Sequence, residues 1–141
     1  HGTNAFLVPF GKDEFLGVAH FHRPNDRKAN PYARHGHHYT HAFYTVSPIH
    51  NGGDSSSKFR LSALSQEFVL PSPYKPDDAE IIQFVSGVEV IGNVVVLAYG
   101  INDCEGAVTE VGAKVVQTML RRVDDNKQVV DYMLPLQNPP R

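Results

Sequence analysis

Valine sets the limits on what this chain can fold into. It occurs 17 times against 9 leucines, and β-branched side chains fit a pleated strand better than a helix. The apolar residues also fall in short runs broken by Gly, Pro, Asn and Asp, the punctuation of antiparallel strands. Ala5 to Val8 and Phe15 to Phe21 flank Pro9-Phe10-Gly11-Lys12-Asp13 and predict a hairpin. Arg23 to Arg34 is polar and carries Pro24 and Pro31, so a loop is expected there. His38 to Val46 predicts a third strand, and Phe59 to Leu64 with Phe68 to Leu70 a fourth extended stretch.

The pattern then restarts. Ile81 to Val85 and Val88 to Ile91 are extended around Gly87, and Gly92-Asn93 predicts a turn. Val94 to Tyr99 and Ala107 to Val111 complete a second group of strands. One helix is expected near Gly112 to Val123, where Val111, Val115, Val116, Met119, Leu120 and Val123 share a face and Arg121 and Arg122 suit the C-terminal turn. Past Asp124 the chain is a polar tail, in which Val129, Val130, Tyr132 and Leu134 predict a short edge segment. The fold class is therefore all-β. Two groups of about four short strands match two propeller blades, and a small sandwich has a similar count.

Charge and cysteine content narrow the function. Net charge is −2, with no basic helix, so no nucleic-acid partner is expected. No apolar run approaches the ~18 residues of a membrane-spanning helix, so no membrane partner is expected either. Cys104 is the single cysteine, which excludes an internal disulfide and a Cys-rich zinc module. The charge is unevenly placed. Six of the eight histidines lie between His20 and His41, while Ser65 to Glu110 holds eight acids and only Lys75.

The histidines are the densest chemistry. In an extended segment His35, His37, Tyr39 and His41 share one face, because strand side chains alternate. Such a row, near His20 and His22, suits a groove that binds sugar hydroxyls or an anion, since neutral imidazole both donates and accepts hydrogen bonds. The alternative is a Zn²⁺ site at His35, His37 and His41. Among the acids, Asp103 and Glu105 follow a buried strand, where a carboxylate can act as general acid or base. Glu80 and Glu89 are further candidates, and glycosidic bond cleavage ordinarily requires a carboxylate pair. A solvated turn residue is the plain alternative for Asp103.

The order of several motifs resembles a known family. Gly2-Thr3-Asn4-Ala5 leads into Phe15-Leu16-Gly17-Val18-Ala19-His20, followed by the Tyr39 to Tyr44 strand. Phe68-Val69-Leu70-Pro71, Glu80 to Gly87 and Tyr99-Gly100-Ile101-Asn102-Asp103 come next. Residues 2 to 123 in this order resemble the closing blades of five-bladed β-propellers of the β-mannoside phosphorylase and glycosidase type, in divergent form, with Ala19 where the family carries Tyr. The resemblance implies a partial propeller over 1–123, about two blades plus a closing helix, and a C-terminal tail over 124–141. It implies that His20 and Tyr39 line a phosphate or sugar pocket and that Asp103 projects into the central cleft, where it is the candidate catalytic residue; His41, Glu80 and Tyr99 are further candidate substrate contacts. The implied partner is an oligosaccharide or glycan, with phosphate as co-substrate and no other cofactor. The remaining blades, or self-association, would complete the ring, and this piece alone is expected to be inactive.

Overall fold

The computed structural model describes residues 2–3, 6–23, 38–49, 58–71, 82–123 and 134–135. Among these residues the architecture is mostly antiparallel β with one short helix, in two sheets. The first sheet contains β1 (Gly2–Thr3), β2 (Val8–Pro9), β3 (Phe15–Arg23), β4 (His38–Ile49), β5 (Lys58–Leu64) and β6 (Phe68–Val69). The second is a meander of β7 (Gln83–Ile91), β8 (Val94–Ile101) and β9 (Glu105–Gly112). Helix α1 (Ala113–Met119) follows, and the chain then returns to the first sheet as β10 (Arg121–Arg122) and β11 (Leu134–Pro135).

Register explains which faces are buried. In the second sheet, Val95, Leu97, Tyr99 and Ile101 alternate inward along β8. In the first, Leu16 opposes Thr45 and Val18 opposes Phe43 across β3 and β4. The inner faces meet where β7 packs on β2, β3 and β4. Leu16, Phe43, Phe68 and Leu97 are completely enclosed there, each contributing about 1.5–3 kcal/mol of burial.

The hairpin turns follow their residue types. The Gly92-Asn93 loop has φ +59° at Gly92 alone, as a II′ turn requires. Asn102 and Asp103 take φ +50° and +56°, closed by the Cys104 N–H donating to the Ile101 carbonyl at 3.1 Å. This I′ geometry suits Asn and Asp, which enter the left-handed region more readily than most side chains.

Two extended stretches differ from expectation by a bulge. The segment around Gly87 is one continuous strand, with Ser86 as the extra residue between Val85 and Gly87. In β5, Ser62 is extra, and its hydroxyl meets that of Thr45 at 2.9 Å. At each bulge the extra serine is left unpaired and the ladder resumes on either side.

The helix is shorter than its apolar spacing predicts. Val111 belongs to β9, paired with Val95, and Val115 is exposed, while Val116 anchors the helix in the core. Leu120 is already extended (φ −70°, ψ 127°). Arg121 and Arg122 pair with Leu64 and Ala63 rather than closing the helix. Pairing with an open strand edge satisfies backbone groups that another helical turn would leave to solvent. In the tail, Leu134–Pro135 runs parallel to Phe68–Val69, while Val129, Val130 and Tyr132 lie outside the described residues.

Candidate functional site

The inner face of β3 and β4 changes character along its length. Beyond Val18 and Phe43 it becomes His20 opposite His41, then His22 opposite Tyr39. The alternation that buries the apolar pairs therefore delivers two imidazole-bearing pairs to one end of the sheet. His20 meets the edge of Phe84 from β7, with centroids 4.6 Å apart, and lies 6.2 Å from Tyr39. His22 lies 5.1 Å from Tyr39. Phe84 remains 41% exposed, so an aromatic surface borders solvent beside the imidazole.

Gly2 is part of this arrangement. It pairs with His20 across β1 and β3, and a Cβ at Gly2 would stand 2.7 Å from the His20 Cε1. Only glycine lets the ring lie against this backbone.

His41 occupies the deepest position. It is fully enclosed and stacks on Phe68 at 5.9 Å and 28°. Among the described residues neither ring nitrogen has a well-formed hydrogen bond, and an unmet buried polar group costs about 1–3 kcal/mol. Burial holds its pKa down to about 3, with His20 adding to the depression. A backbone contact with Gln83, too poorly aligned to make a full hydrogen bond, opposes this shift. Burial also lowers the pKa of His20. Both rings thus favour the neutral form, with one nitrogen to donate and one to accept.

Gln83 and Tyr99 hold the two sheets together behind the histidines. The Gln83 carboxamide bonds both backbone groups of Leu70, and the Tyr99 hydroxyl donates to the Pro71 carbonyl at 2.7 Å. Tyr99 is a core residue whose pKa is raised by burial. Gln83 escaped sequence reading because a lone Gln between Ile82 and Phe84 carries no spacing signal.

Asp103 is exposed on the turn beyond β8. Ile101 pairs with Gln83 and Gly100 with Phe84, which puts this turn at the same end of the second sheet as the His20 contact. Among the described residues no hydrogen bond, ion pair or ring contact joins Asp103 to His20, Tyr39 or His41. Asn102 fixes the turn instead, donating its N–H to the Ile82 carbonyl at 2.8 Å and accepting the Ile82 N–H on Oδ1 at 3.2 Å. Glu105 is exposed at the start of β9 and Glu89 is exposed on β7. Glu80, His35 and His37 lie outside the described residues.

No protein-family model, curated protein or solved structure matches this chain. Among the described residues, no three His, Cys, Asp or Glu side chains gather as a metal-ligand set. No helix among them is long and apolar enough to cross a membrane.

Proposed function

We propose that the end of the sheets bearing His20, Tyr39 and His41 binds the hydroxyl groups of an oligosaccharide or glycan. The observation that carries this reading is the enclosed His41 imidazole, whose nitrogens make no well-formed hydrogen bond among the described residues, behind a rim of His20, Tyr39 and Phe84. Neutral imidazole matches a sugar hydroxyl, which also donates and accepts. The exposed Phe84 ring offers an apolar face of the kind that pyranose C–H surfaces pack against. Tyr99 positions the site by holding the 68–71 segment.

In the same proposal the chain forms about two blades and the closing helix of a five-bladed propeller. The outward faces of the two sheets support this. Phe59 is 52% exposed on the first, and Ile91 and Val108 are 62% and 67% exposed on the second. A self-sufficient two-sheet domain usually turns polar residues outward, whereas a propeller blade is covered on both faces. Further blades, or a second copy, would cover these residues. Within a complete ring Asp103 would line the central cleft as a catalytic residue, and the general-acid Asp at the glycosidic oxygen would come from another blade. A second carboxylate would activate water, or inorganic phosphate would attack the anomeric carbon in place of water.

A non-catalytic glycan-binding module is the second reading, favoured by the exposure of Asp103 and by the absence, among the described residues, of a bond from it to the histidine cluster. Thermal denaturation of the chain with manno-oligosaccharides, inorganic phosphate or Zn²⁺ tests the shared claim. A ligand that binds the folded state alone raises the melting temperature with its concentration. The expected result is a saturable rise with oligosaccharide that His20→Ala removes. No rise with any oligosaccharide, or a rise with Zn²⁺ alone, contradicts glycan binding.

A further inference from the structure

At the opposite end of the first sheet lies a cleft of about 800 Å³ that the glycan reading does not use. One wall is the 10–14 turn, shaped by left-handed Gly11 (φ +75°) and Asp13 (φ +58°) and closed by the Phe10 N–H donating to the Glu14 carbonyl at 2.9 Å. The other wall is β10, held to β5 and continued by the Val123 N–H donating to the Ser62 carbonyl at 3.1 Å. Arg60 of β5 sits at the cleft directly across from Ser47 of β4. Phe15 and His20 are separated by five steps of β3, about 17 Å along a strand, so the two ends are separate sites.

The charges in this cleft do not cancel. Lys12, Arg60 and Arg122 face Asp13 and Glu14, three cations against two carboxylates. Arg122 and Glu14 form an ion pair, which consumes one of each. Among the described residues neither Lys12 nor Arg60 has a hydrogen-bond or ion-pair partner. A guanidinium presents a planar fork that matches two oxygens of a phosphate or sulfate group, and a lysine ammonium supplies a flexible point charge beside it. The Ser47 hydroxyl is a neutral donor at the same position.

We propose that this cleft is a second binding site, for a small ligand carrying a phosphate or sulfate ester. Arg60 binds the ester oxygens, Lys12 adds a second positive charge, and Ser47 donates a hydrogen bond. The Arg122–Glu14 pair braces the wall. The volume exceeds what an inorganic anion fills and leaves room for the alcohol portion of the ester. This site is independent of the phosphate co-substrate implied for the histidine end.

The test is an NMR titration of the full chain with glucose 6-phosphate, glucose 6-sulfate, inorganic phosphate and inorganic sulfate, following the Arg60 Nε–H and the amides of Lys12, Asp13 and Ser47. At least one ester is expected to give saturable shifts there, and the phosphate and sulfate arms show which group is preferred. Arg60→Gln and Lys12→Gln, both at exposed positions, are each expected to weaken binding by about tenfold, the loss of one charge-assisted contact. His20→Ala is expected to leave it unchanged. Absence of saturable shifts with both esters, affinity indifferent to both cleft variants, or loss of binding in His20→Ala would overturn the proposal.

Discussion

The carboxamide of Gln83 grips the backbone of Leu70 as a neighbouring strand would, its Oε1 accepting the Leu70 N–H at 2.9 Å and its Nε2 donating to the Leu70 carbonyl at 2.8 Å. Both partners are buried, so neither bond can be replaced by water. Gln83→Leu would strand two backbone groups in the core. The expected loss is about 2–4 kcal/mol, one unmet buried group at each end, read as a lower urea midpoint with an unchanged slope. A variant as stable as the parent would show that the 68–71 segment is held by other means.

Tyr99→Phe separates a structural from a binding role at that position. It removes the bond to the Pro71 carbonyl and is expected to cost about 1 kcal/mol. Oligosaccharide affinity should change less than twofold. A large loss of affinity with no loss of stability would place the hydroxyl against ligand instead.

His41 makes stability depend on pH in a defined direction. Its folded-state pKa is about 3 against an ordinary 6.5, through burial first and nearby His20 second. Below pH 6.5 the unfolded chain takes up a proton that the folded chain refuses until about pH 3. This contribution is complete above 6.5 and is lost as pH falls toward 3, with a slope of up to about 1.4 kcal/mol per pH unit. His20, whose pKa is also lowered, acts in the same direction. Urea denaturation between pH 4 and pH 7 should show this slope in the parent and a flatter one in His41→Leu. Equal slopes would remove His41 as the source.

Gly17 is needed for the packing of a neighbour rather than for a turn. It pairs with Tyr44, and a Cβ there would stand 2.5 Å from the Tyr44 ring. Gly17→Ala is expected to destabilise by about 1–3 kcal/mol, the range for overpacking. Most of that loss should vanish when Tyr44→Ala is already present, in a double-mutant cycle of denaturation midpoints. Additive losses would mean that the strain lies elsewhere.

How much of this was legible depended on how local each signal is. The β8 strand was legible because Val94 to Tyr99 is a short, continuous, β-branched-rich apolar run, and the turn before it because Gly92-Asn93 is suited to left-handed backbone. The end of α1 could not be read, because the apolar spacing from Val111 to Val123 fits a longer helix. The β5 edge that captures Arg121 and Arg122 is nearly sixty residues away in sequence. The histidine face was legible by alternation for Tyr39 and His41. Its depth was not, since the enclosure of His41 depends on Phe68 and β7. The bridges from Gln83 to Leu70 and from Tyr99 to Pro71 span 13 and 28 residues, and no local pattern announces them.

The most direct test of glycan binding at the histidine end follows the imidazole and ring signals of His20, His41, Tyr39 and Phe84 by NMR while a manno-oligosaccharide is added to the intact chain. The account predicts saturable shifts concentrated on these four residues, absent in His20→Ala and diminished in Gly2→Ala, whose Cβ displaces the His20 ring. Saturating oligosaccharide that leaves all four signals in place, or moves only residues remote from them, would contradict it.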